Sequence, residues 1–141
     1  MIALDACAGP SLGLAACIAY YPATVSREAD GSDHALMPAG SSDEAYAPLQ
    51  PLNNLGKNYP PTFLICGTTD GFRAPTQALY DRLIELNVPV ELHMLAGLNH
   101  IFDRYTEFAD VSCDWCHLFM DRYVVNPREF PAFAQPAPVT A

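Results

Sequence analysis

The sequence predicts an α/β domain of about three parallel strands with flanking helices. Three observations carry this. Apolar runs of strand length stand at 14–21 (LAACIAYY), 62–66 (TFLIC) and 90–95 (VELHML). The first two show no alternation, the pattern of strands covered on both faces. Segments with helical spacing follow the second and third runs, so strands alternate with helices and the connections must cross over.

In chain order, Met1 to Ala8 is alanine-rich and helix-compatible, and Gly9-Pro10 breaks it. Leu14 to Tyr21 reads as the first strand and stops at Pro22. Ala23 to Pro61 is a long polar excursion rich in Gly, Ser, Asp and Pro. Inside a compact domain such a stretch is usually functional or holds short helical pieces. Thr62 to Cys66 is the second strand, with Gly67-Thr-Thr-Asp70-Gly71 as its exit turn. Pro75 suits a helix start, and Ala78, Leu79, Leu83 and Leu86 continue a helical stripe until Asn87 and Pro89 end it. Val90 to Leu95 is the third strand, leaving through Ala96-Gly-Leu-Asn-His100. Phe108, Val111, Trp115, Leu118 and Phe119 predict a last helix from about Glu107 to Tyr123, stopped by Asn126-Pro127. Residues 1–125 thus form the domain, and 126–141 an Ala/Pro-rich tail without a core pattern, expected to be mobile.

Composition narrows the function classes. Half the 141 residues are apolar, which favours a packed core over disorder. The net charge is −9 and the seven basic residues are scattered. No patch could hold a phosphate backbone, so a nucleic-acid partner is not expected. No apolar run reaches membrane-spanning length, and the first eight residues lack the basic region of a signal peptide. Five cysteines, an odd number and mostly in apolar runs, favour a reducing, cytoplasmic setting. Cys113-Asp-Trp-Cys116 has CxxC spacing, but one such pair without a second makes a poor zinc site. Helix packing is its expected role, and neither metal nor cofactor is expected.

In parallel sheets functional residues gather in loops leaving the C-terminal strand ends. Asp70 follows the second strand and His100 the third. Asp70 before Gly71 could also be an ordinary turn residue, and His100 a hydrogen-bonded loop histidine. His93 lies mid-strand and reads as structural; nothing marks His34.

Three segments in order resemble the second half of α/β-hydrolases: Tyr20-Tyr21-Pro22, then Pro61 to Gly71, then Val88 to Phe102. The resemblance is to the esterase/lipase group related to hormone-sensitive lipase, with dienelactone-hydrolase-like proteins near it, and covers roughly residues 1–125. In that family a strand ends in Tyr-Pro, and Gly-x-x-Asp carries the acid of a catalytic triad. A Gly-x-x-His-x-Phe loop carries the base. The resemblance therefore implies Asp70 as acid, His100 as base and a small ester as substrate. The family's Gly before the His is Asn99 here, with Gly97 two residues earlier. The chemistry explains the residue types: an imidazole takes the proton of a serine hydroxyl, and a carboxylate holds the imidazole in the right tautomer.

A nucleophile should sit on Gly-x-Ser-x-Gly at a sharp strand-to-helix turn. Gly9-Pro-Ser11-Leu-Gly13 is a literal match, which makes Ser11 a candidate. Too few residues follow it, however, for the required helix before the strand at Leu14. Met1 to Ala8 fits that helix better, which places the nucleophile just upstream of Met1. Cys7 lacks elbow glycines and is the weaker candidate. Two functions follow. One is a carboxylic-ester hydrolase whose chain here is a fragment lacking its nucleophile. The other is a non-catalytic hydrolase-derived domain that associates with a partner chain, the missing N-terminal half or a second copy.

Overall fold

The structure, a computed structural model, describes Leu4, Cys7, residues 13–24 and residues 41–130. Its centre is one parallel sheet in the order β1-β2-β3, with β1 at Cys17–Tyr20, β2 at Thr62–Gly67 and β3 at Val90–Leu95. Register runs from Cys17↔Thr62 to Tyr20↔Ile65, and from Thr62↔Val90 to Gly67↔Leu95. This is the parallel α/β arrangement expected from the sequence.

β2 is the middle strand, and Phe63, Leu64, Ile65 and Cys66 are all fully buried. Burying an aliphatic or aromatic side chain of this size stabilises by about 1.5–3 kcal/mol. Alternation along the strands sorts the core into two layers. Leu64 packs with Cys17, Leu79, Leu83 and Val88 on one face. Phe63 and Ile65 pack with Phe102 and Phe119 on the other.

β1 is shorter than the apolar run around it. Leu14 lies outside the ladder and is exposed. Pairing begins at Cys17, whose amide donates to the Pro61 carbonyl at 2.9 Å. Upstream, Pro60 and Pro61 have no amide hydrogens to extend the ladder. Nor is β1 covered on both faces among the described residues: Cys17 is buried but Ile18 is 39% exposed. The strand ends at Tyr21, whose φ of 37° leaves the extended region.

Among the described residues the longest helices beside the sheet are α2 at Arg73–Glu85 and α3 at Thr106–Met120, with a short α1 at Asp43–Tyr46. α2 begins two residues before Pro75 because proline is tolerated in a first turn, where its missing N–H would be unpaired anyway. It closes as expected at Asn87, which takes a left-handed φ of 57° while the Val88 amide returns to Leu83 O at 3.0 Å. Leu79 and Leu83 are its buried stripe. α3 runs into a π-turn at Asp121–Val125. The described part of the excursion holds short helical turns: α1, then 3-10 turns at Ala47–Leu49 and Pro51–Asn54.

Candidate active site

The exit loops of β2 and β3 are stitched together by short bonds. The Thr68 amide donates to Leu95 O, and the Gly97 amide donates to Thr68 Oγ1 at 2.7 Å. The Thr69 amide and hydroxyl both donate to Leu98 O, at 3.0 and 2.7 Å. Leu98 comes so close over Gly67 that a Cβ there would collide with its carbonyl. Only glycine permits this approach. Gly97 supplies the matching turn at a φ of +73°.

These stitches bring Asp70 and His100 together. Asp70 Oδ2 lies 3.0 Å from His100 Nδ1. Its other oxygen, Oδ1, accepts from the Phe72 amide at 2.8 Å. The Asp70 side chain is 1% exposed and that of His100 39%. A carboxylate only accepts, so the contact assigns a proton to Nδ1; in the neutral imidazole Nε2 then carries the lone pair. Among the described residues Nε2 has no hydrogen-bond partner. The backbone amide of His100 is held by Asn99 Oδ1 at 2.7 Å, at the position where a glycine was expected.

The imidazole stands between two aromatic rings, Tyr21 at 4.3 Å and Phe72 at 5.2 Å between centroids. The next residue, Ile101, takes a left-handed φ of 61°. That turn lets His100 stay at the surface while Phe102, two residues on, is 1% exposed in the core. A cavity of about 510 Å³ opens beside His100, lined by Leu98, Asn99, Ile101, Arg104 and Tyr105. Chemically, a neutral imidazole held through Nδ1 can take a proton at Nε2 from a hydroxyl placed within reach.

A sequence model of the alpha/beta hydrolase fold matches residues 3–104, well over half the chain. The chain belongs to that family. Solved structures agree at the level of fold. An acetyl ester-xyloside bifunctional hydrolase from Caldicellulosiruptor lactoaceticus superposes with TM-score 0.64 at 21% identity, covering 76% of this chain and 42% of that one. A thermophilic esterase from the planctomycete Thermogutta terrifontis gives TM-score 0.63 at 17% identity, covering 85% and 49%. An α/β-hydrolase enzyme from a Medee basin deep-sea metagenome library gives 0.55 at 18%, covering 85% and 50%. This α/β-hydrolase chain therefore spans half or less of the length of these structures. No curated protein matches it.

Other residues singled out in this α/β-hydrolase sequence are placed as follows. Ser11 and His34 lie outside the described residues. Cys7 is buried, and lies in the core cluster with Cys17 and Tyr59. Burial, then the neighbouring Cys7, pushes the Cys17 thiol up to about 12. His93 lies on β3, with Nε2 2.6 Å from Glu91 Oε1 and its ring stacked on Trp115 at 4.4 Å. Arg122 donates to the other Glu91 oxygen at 3.3 Å. Cys113 is exposed on α3, while Cys116 Sγ lies 3.5 Å from the Tyr20 hydroxyl. At the start of the tail, Arg128 pairs with Asp121 at 2.6 Å; residues 131–141 lie outside the described set. Among the described residues no helix is long and apolar enough to cross a membrane.

Sequence reasoning missed Tyr21 and Phe72 as neighbours of His100. For Tyr21 a signal existed: the Tyr-Pro that closes β1 was read as a strand end, although it also places an aromatic ring at the same sheet end as His100.

Proposed function

We propose that this chain carries the acid and base of a serine-type carboxylic-ester hydrolase, Asp70 as acid and His100 as base. One observation supports this reading above the rest: the 3.0 Å contact from Asp70 Oδ2 to His100 Nδ1, in a residue that lines a cavity. In the reaction, Nε2 takes the proton of the attacking serine, and the buried carboxylate stabilises the imidazolium that forms. The same proton then passes to the leaving alcohol, and a water repeats the cycle on the acyl-enzyme. The esterase structures that share the fold favour a small ester as substrate. In this reading the nucleophile serine comes from outside the described residues. Hydrolysis of a short-chain p-nitrophenyl ester by the full-length protein, with its nucleophile serine present, tests the reading. His100→Ala and Asp70→Asn should each lower kcat/KM by about 10³–10⁴. Hydrolysis unchanged in both variants would sink it.

A second reading has its own observation. Among the described residues β1 is hydrogen-bonded on one side only, and Leu14 and Ile18 are exposed beside it. Such an edge suits a non-catalytic, hydrolase-derived domain that associates with a partner chain. This reading predicts no ester turnover and a stable complex through β1.

A further inference from the structure

Tyr20 and Tyr21 are consecutive, so in a regular strand their side chains would point to opposite faces. They do not. Both rings pack on Phe102, at 6.3 and 5.8 Å, and they meet each other at 6.1 Å and 81°. The cause is the left-handed backbone at Tyr21, an unfavourable conformation for a bulky residue. The position is nonetheless firmly held, since the Tyr21 amide donates to Ile65 O at 2.6 Å, continuing the pairing with β2. Strain retained at one non-glycine residue beside a candidate active site asks what the residue gains there.

Two contacts answer. The ring of Tyr21 crosses the His100 imidazole at 4.3 Å and 62°. Its hydroxyl reaches past His100 to donate to Asp103 Oδ1 at 3.0 Å. Tyr21 therefore grips both the imidazole and the chain three residues beyond it. The His100 side chain is 39% exposed, and among the described residues one side-chain hydrogen bond, to Asp70, fixes its ring. Phe72 supports the ring from another direction. The Tyr21 phenol makes a durable donor: burial, and then the acceptor Asp103, keep it protonated far into the alkaline range.

We propose that Tyr21 is a positioning residue for His100: its ring stops the imidazole swinging away from Asp70, and its hydroxyl anchors the same loop at Asp103. The proposal rests on the reading of Asp70 and His100 as an acid–base pair. It requires no contact between Tyr21 and substrate.

NMR of the protein labelled with ¹⁵N in its histidines tests this without needing turnover. The readouts are the downfield Nδ1–H proton of His100, assigned by its loss in His100→Gln, and the ring nitrogen shifts that report the tautomer. Tyr21→Leu, folded by circular dichroism, should broaden or abolish the Nδ1–H signal and move both nitrogens towards a tautomer mixture. Tyr21→Phe should restore the tautomer, because the ring remains. It should still speed amide exchange across residues 98–104 by about two- to tenfold, the span of one net hydrogen bond. An Nδ1–H signal and tautomer in Tyr21→Leu equal to those of the parent would overturn the proposal. Should Tyr21→Leu fail to fold, Tyr21→Phe decides alone, and unchanged exchange across 98–104 overturns it. Asp70→Ala, which leaves no side-chain acceptor, separates the two levels. A signal that survives Asp70→Ala removes the acid–base reading and this proposal together. A signal lost in Asp70→Ala but untouched in Tyr21→Leu removes the positioning role only.

Discussion

The Leu98 carbonyl passes directly over Gly67, at a distance no side chain at 67 could tolerate. Gly67 ends β2 and Leu98 lies two residues before His100, so this crossing sets how far apart the Asp70 and His100 loops stand. Gly67→Ala should force the loops apart. We expect a stability loss of about 1–3 kcal/mol in urea unfolding, the usual cost of overpacking. The His100 Nδ1–H signal should weaken in the same variant. An alanine variant as stable as the parent would show that the crossing is slack.

Thiol reactivity should follow burial. Cys17 and Cys66 lie in the core, and burial is the first cause raising both thiols above their usual range. The thiolate is the reacting form. A disulfide reagent at neutral pH should modify exposed Cys113 first. Cys17 and Cys66 should react only after denaturant is added, with sites mapped by mass spectrometry. Equal rates at Cys17 and Cys113 would contradict the packing described.

Alkaline titration should find late tyrosines. Burial is the first cause that pushes Tyr20 and Tyr21 up to about 12. The neutral phenol is thus favoured in the folded state. That contribution is fully present below the ordinary value of about 10 and disappears as pH rises from there towards 12. Phenolate absorbance at 295 nm should show a late-ionising class that loses one member in Tyr21→Phe. An unchanged late class would place Tyr21 in open solvent.

The exposed edge should drive association. Unpaired strand edges beside apolar side chains are templates for pairing. Ile18 on β1 is such a side chain. Light scattering on a sizing column should give a mass above that of one chain, and Ile18→Lys should shift it towards the monomer. A monodisperse monomer for the parent sequence would remove the association reading.

Much of the frame was legible from local chemistry. The unbroken apolar run at 62–66 already required a strand covered on both sides, because each residue of a strand faces alternate layers. Pro75 and Asn87 marked the ends of α2 because proline and left-handed asparagine each suit one end of a helix. Asp70 and His100 stood out because both follow strands that must be parallel and adjacent. The apolar run at 14–21 promised more than it delivered: the ladder holds only Cys17–Tyr20, with one further bond from Tyr21, since pairing needs partners on β2, and β2 starts after two prolines.

What the sequence by itself determined was the alternation of strands and helices and the two loops that carry Asp70 and His100. Those follow from residue periodicity and turn chemistry, which act over a few positions. Tertiary structure decided the rest. Residue 21 meets residues 100 and 103 because β1 lies beside β2 and the backbone at Tyr21 turns left-handed. Gly67 is crossed by Leu98 because β3 takes the other side of β2 in a register that aligns the strand exits. Such contacts join positions tens of residues apart, and only strand order and register, settled by the packing of two core layers, bring them together.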